Sequence, residues 1–411
     1  MPDIMNAAWK LWLLAAPALL VFAFACGDGA DEAEGPDGDA GEPVATIPVP
    51  SPFPGITSEV VVPNAETPVA LAFTPDGRLF YNERDTGNVR IVTTEGRLLP
   101  EPFVHVDVAV SLVSALEPGW GLLGLALDPD FESNQYVYVY FTQPGTAEDK
   151  ATPVVVRFTD VDNLGVDPKT IVGDLPEATI FTEYFVGGQM RFGPDGYLYI
   201  AIGDFIDTDL AQDLDSVRGK ILRIDKEDGS PAPDNPFADD PEADPRVFAY
   251  GFLNAYDFTF QPQTGELFAT EYGLYFCCDE LNIVRQGQNY GWPQSGADQT
   301  DTLPIHFFSL PGQTSEGTKV APTGIEFVSG ADNPALGDSL LVCEGRTKFM
   351  RRLVLAPNQN QVQSDDVVVA DCSRDIAVSP DGQVYYSNDS EIRRLVADSG
   401  AAPAPSATPT P

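Results

Sequence analysis

Apolar and polar residues alternate along most of this chain with a period of two, the period of a half-buried strand, and no long window carries the 3.6-residue period of a helix. The alternation comes in units, each an apolar stretch, a Pro-containing turn and a second alternating strand. Six copies are visible: LAFTPDGRLFYNE (71–83), LALDPDFESNQYVYVYFT (125–142), MRFGPDGYLYIAIGD (190–204), FTFQPQTGELFATEYG (258–273), IEFVSGADNPALGDSLLVCEG (325–345) and IAVSPDGQVYYSND (376–389). Proline early in such a turn presets φ, and the Asp-Gly that often follows supplies a side-chain acceptor and a permissive backbone, so each unit predicts a β-hairpin. Successive copies lie roughly 45 to 70 residues apart, the length of a four-stranded blade. The pattern predicts an all-β chain, a six-bladed β-propeller of four-stranded antiparallel blades, in which radial repetition replaces a single large core.

The ends depart from this pattern. An apolar run from Leu11 to Ala25 is short for a membrane span and ends in small residues, as a signal peptide does. Ala23, Phe24, Ala25 and Cys26 resemble a bacterial lipobox, which makes Cys26 the expected lipidation site. The reading is a signal peptide over 1–26, an acidic and Pro-rich disordered tether over 27–57, the propeller over 58–396 and a Pro/Ala-rich disordered tail over 397–411. It places the protein outside the cytoplasm, in the cell envelope or periplasm, lipid-anchored to a bacterial membrane, as a monomer or dimer.

A formal net charge of −39 repels nucleic acid and anionic membrane surfaces, so contact with a membrane is expected only through the lipid. Besides Cys26 there are four cysteines, Cys277, Cys278, Cys343 and Cys372. In an exported chain they favour disulfides, with three possible pairings that include a vicinal Cys277–Cys278 bridge. Two histidines and no CxxC spacing argue against a structural zinc site.

Several blocks, in order, resemble the glucose/sorbosone dehydrogenase family of soluble PQQ-dependent propellers. They include GWGLLGLALDPDF (119–131), GGQMRFGPDGYLYIAIGD (187–204), RGKILRIDKEDGSPAPDNPF (218–237), VFAYGFLNAYDFTFQP (247–262), DELNIVRQGQNYGWP (279–293), VAPTGIEF (320–327) and SRDIAVSPDG (373–382). The resemblance implies a six-bladed fold, PQQ and Ca²⁺ as cofactors, a sugar or alcohol as substrate and an electron acceptor as partner. In such enzymes a His before Gly-Gly removes the substrate proton and an Arg polarises the quinone carbonyl. Here Phe185 stands at the His position, Phe252 and Leu253 at a His-Arg pair, and Tyr272 at a further His, so all four are expected to line the pocket as substituted positions. Asp204 and Glu183 remain as candidate bases, Asn254, Arg346 and Arg374 as cofactor contacts, and the carbonyls of Gly273 and Leu274 as calcium ligands. Asp279 and Glu280 are expected to support that loop, and the resemblance draws the four cysteines toward the same mouth.

Phe has no titratable group, and general acid–base help is commonly worth about 10²- to 10⁴-fold. Leu offers no donor to a developing oxyanion. Two functions follow: a PQQ-dependent dehydrogenase with an altered, impaired site, or a non-catalytic propeller that binds carbohydrate or another small molecule. Whether this chain is an enzyme stays open at the level of sequence.

Overall fold

The structure is a computed structural model that describes residues 53–110, 119–147, 150–179, 185–273, 279–293, 302–310 and 319–398. Glu183, Leu274, Cys277, Cys278, Cys26 with the whole signal segment, and the tail from residue 399 lie outside the described residues.

Each hairpin unit supplies the first two strands of one antiparallel sheet. The pairs are Pro68–Phe73 with Leu79–Glu83, Leu122–Leu127 with Tyr136–Pro144, Met190–Phe192 with Leu198–Ile202, Ala255–Phe260 with Leu267–Glu271, Pro322–Val328 with Ser339–Glu344, and Ile376–Val378 with Val384–Ser387. The first strands of neighbouring sheets touch one another around a closed ring, the sixth returning to the first. The fold is therefore a six-bladed β-propeller. Blade two carries an additional strand: Lys150–Val161 pairs with Leu164–Val172 as well as with Ala178–Thr179.

The ring is closed by Ile56–Pro63, which pairs antiparallel with Glu391–Ala397 and becomes the outer strand of blade six. The apolar interior consists of six seams, each between two adjacent blades. Phe80 and Phe103 meet Phe131 and Val139 across the seam of blades one and two, and Phe268 and Leu281 meet Ile325 and Leu340 across that of blades four and five. Because both faces of a blade are covered, second strands such as Leu198–Ile202 and Ser339–Glu344 are buried along their whole length.

Strand direction sorts the loops. Those entering a first strand, and those joining a second strand to a third, gather at one end of the central channel, here the upper mouth. The Pro-containing turns of the repeat end at the other, lower mouth. Close approach at the axis demands glycine: Gly324 donates its N–H to Arg374 O at 2.7 Å, and a Cβ on Gly324 would lie 2.5 Å from the Cα of Asp375. Gly188, with φ of 118°, would put a Cβ 2.8 Å from the ring of Tyr140.

Candidate functional site at the upper mouth

Phe185, Asp204, Phe252, Leu253, Asn254, Tyr272, Gly273, Arg346 and Arg374 all fall on loops of the upper-mouth set, either entering a first strand or following a second one. Topology alone thus gathers the described candidates at one end of the channel. What each side chain does there differs.

Phe185 and Tyr272 form the centre. Their rings stack at 5.6 Å between centroids and 27° between planes. Phe185 adopts φ of 56°, a conformation that bulky residues rarely hold without support. The support comes from the close packing around it: a Cβ on Gly203 would come 1.8 Å from Phe185 O, and the Phe185 carbonyl accepts from Phe205 N at 3.3 Å. Arg346 donates to the Tyr272 hydroxyl at 2.9 Å. The Arg346 guanidinium and the Lys319 ammonium lie 5.7 and 5.9 Å from the Tyr272 ring centroid.

Asp204 is fully buried. Its Oδ2 accepts from the Trp292 indole at 2.8 Å and its Oδ1 from Ile206 N at 2.8 Å. Burial pushes its carboxyl up to about 6, against the lowering effect of those two bonds. Asp204 N donates to Leu253 O at 2.8 Å, and Leu253 N donates to the buried Glu271 at 2.8 Å. Burial, the neighbouring Glu280 and Asp204 hold the Glu271 carboxyl well above its usual range, and burial pushes Glu280 up to about 7. Asp204, Glu271 and Glu280 thus form a set of carboxylates whose protons are held more tightly than usual, on the loops and strand ends next to the aromatic pair.

The substituted positions divide. Phe185 and Tyr272 are half-buried and face each other, whereas Phe252 and Leu253 are buried, at 0% and 1% exposure, and do not line an open pocket. Phe252 stacks on Tyr290 at 4.7 Å and 15° in the seam of blades three and four. An apolar side chain on that loop gains by turning into the core. Asn254 is buried, and its Oδ1 has no hydrogen-bond partner. Such an orphan acceptor costs about 1–3 kcal/mol unless a ligand or water meets it.

Of the cationic candidates, Arg346 reaches the aromatic pair, while Arg374 is held by Asp389 at 2.8 Å in an ion pair that also takes Lys348 at 3.0 Å. Cys343 and Cys372 are disulfide-bonded, with Cα atoms 5.2 Å apart, and join blade five to the loop that carries Arg374. Gly273 N donates to Asp279 Oδ1 at 3.1 Å, and Asp279 Oδ2 accepts from Val320 N and Ala321 N, so Asp279 braces the loop through backbone groups. Among the described residues no group of three or more His, Cys, Asp or Glu is arranged to hold a metal.

Sequence reasoning missed Lys319, Trp292 and Glu271. Glu271 adjoins Tyr272 at the end of the fourth hairpin unit and was the most legible of the three. Lys319 and Trp292 sit in loops whose lengths carry no spatial information. His105 and His306 stand apart: His306 packs its edge on Phe308 and lies 3.2 Å from Asp365.

Fold and site together define a six-bladed propeller whose candidate loops converge on one mouth of its channel. The chain belongs to the glucose/sorbosone dehydrogenase family, whose profile matches residues 65–397. It is similar to an uncharacterized protein of Synechocystis, 30% identical over 364 residues that cover 84% of this chain and 86% of that one. It is also similar to the aldose sugar dehydrogenase YliI of Escherichia coli, 28% identical over 359 residues that cover 83% and 92%. The PQQ-bound aldose sugar dehydrogenase of Streptomyces coelicolor superposes with a TM-score of 0.67 at 27% identity, over 84% of this chain and 99% of that one.

Proposed function

We propose that this chain is a sugar dehydrogenase-like propeller whose upper mouth binds PQQ, and that its oxidation of aldoses is slow. The observation that carries the reading is the Phe185–Tyr272 stack flanked by Arg346 and Lys319. PQQ is a flat aromatic tricarboxylate, and the donor set suits it. Arg346 and Lys319 would take its carboxylates, Tyr272 or Phe185 would cover a face, and the orphan Oδ1 of Asn254 would accept a ring N–H. When bound, PQQ supplies the two-electron acceptor for a CH–OH group. Calcium is part of the same proposal, through the carbonyl of Gly273 and that of Leu274.

The chain's own residues limit turnover. Phe185 cannot take a proton, and Asp204, whose two oxygens are engaged by Trp292 and Ile206, is screened from a substrate by its burial. Asp204 acts in this reading as a proton-holding group that orients Trp292. Its enclosure favours a second reading, a binding-only propeller for carbohydrate or another small ligand. Export and lipid anchoring at Cys26 belong to the proposal as well; incorporation of labelled fatty acid, lost in Cys26→Ala, tests them.

Dye reduction by the purified chain with PQQ and Ca²⁺ across an aldose panel separates the readings. PQQ binding with slow turnover supports the proposal. PQQ binding without any turnover leaves the binding-only propeller, and absence of PQQ binding removes the quinoprotein reading and leaves a propeller for carbohydrate or another small ligand.

A further inference from the structure

The lower mouth holds a cavity of about 360 Å³ that the proposed chemistry does not use. All six blades line it, through the far ends of their first strands, and topology puts it at the opposite end of the channel from Phe185 and Tyr272. Its rim is apolar, formed by Phe73, Leu127, Phe192, Phe260 and Val378 from five blades, and each of these is partly exposed. Its floor is charged, formed by Arg191, Glu326 and Asp375, with Asp257 directly behind.

Charge is unevenly matched on that floor. Arg191 bonds Asp257 at 3.1 Å and Glu326 at 2.5 Å, and donates to Ile325 O at 3.1 Å. Burial beside Asp257 pushes the carboxyl of Asp375 well above its usual range. With Asp375 neutral, two carboxylates still face one guanidinium, so the floor carries net negative charge. The overall charge of −39 enriches cations around the whole molecule in the same sense.

We propose that the lower mouth is a binding site for a small organic cation, a primary amine or guanidinium on a short hydrocarbon body. The rings and alkyl groups of the rim bury the hydrocarbon, and the capacity that Arg191 leaves on the second oxygen of Glu326 receives an N–H of the cation. A bare divalent ion is less suited. It needs six or more oxygens free to turn toward it. Here Asp375 is engaged by Leu71 N and Ile376 N, Asp257 by Phe258 N, Ile325 N and Arg191, and one oxygen of Glu326 by Thr259 and Phe327 N. A neutral polyol would leave the net charge unanswered.

The test is calorimetric titration of the full chain with agmatine, with n-pentanol, valerate and glucose as controls and Ca²⁺ as competitor. The expected result is one saturable agmatine site and no binding of the three controls. Affinity should fall about tenfold or more in Glu326→Gln and in Phe192→Ala and stay unchanged in Arg346→Ala at the other mouth. Phe192→Ala leaves the floor intact and decides the matter alone if Glu326→Gln does not fold. The proposal is overturned by no binding, by unsaturable heats indifferent to Phe192→Ala, by glucose taking the site, or by Ca²⁺ displacing agmatine one for one.

Discussion

Trp292 donates its indole N–H to Oδ2 of Asp204 at 2.8 Å, so the carboxylate at this site is partnered by a neutral donor from a distant loop. A histidine partner could share a proton with it; an indole cannot.

The burial of that carboxylate, which outweighs the bond, makes a pH prediction. The folded protein raises the Asp204 carboxyl from 3.8 to about 6, so folding favours the protonated form. Its stabilising contribution is full below about pH 4 and is lost as pH rises through about 6, a difference on the order of 3 kcal/mol. Asp204→Asn has no such titration and keeps an oxygen for Trp292, although its amide then opposes Ile206 N. Thermal unfolding from pH 4 to 7 should show the wild type losing its advantage over Asp204→Asn as pH rises. A constant gap would mean that Asp204 does not titrate in this window.

The disulfide should matter for the whole propeller. Cys343 and Cys372 are separated by 29 residues, and closing such a loop in the unfolded chain stabilises the fold by about 3–4 kcal/mol. The Cys343→Ala/Cys372→Ala variant should lose stability of that order in urea. Loss below 1 kcal/mol, about the effect of an ordinary substitution, would show that the bridge adds little.

Ring closure gives a truncation prediction. Removing residues before Phe53, which packs on the seam of blades five and six, should leave the propeller's melting temperature unchanged. Removing Ile56–Pro63 exposes the edge of Glu391–Ala397 and takes Val62, buried at 2%, out of the core, and should abolish cooperative unfolding or cause aggregation. Circular dichroism melts of the two truncations decide it.

The fold was legible because its signal is local. In units such as MRFGPDGYLYIAIGD the two strands and their turn are adjacent, and the turn chemistry sets the pairing. The closing strand ITSEVVVP was not legible, since its partners lie hundreds of residues away, 335 in the case of Glu59 and Arg394. The site was legible in part. Residues that enter a first strand or follow a second one, such as Phe185 and Tyr272, could be placed by their motifs. Phe252 and Leu253 could not be oriented, because a loop sequence does not say whether an apolar side chain faces the channel or the seam. Lys319 and Trp292 reach the site through long connections that no periodicity records. The Pro-containing turns that reveal the blades lie at the lower mouth, away from the site they helped to find.

The central claim is that the stack of Phe185 and Tyr272, with its flanking cations, is a cradle for PQQ. Calorimetric titration of the full chain with PQQ in the presence of Ca²⁺, beside Arg346→Ala, tests it most directly. Arg346 is exposed, so its removal should leave the melting temperature within about 1 °C. The account predicts saturable one-to-one binding to the wild type, weakened about tenfold in Arg346→Ala through loss of a charge-assisted contact. No binding, or equal affinity in the two proteins, would contradict it.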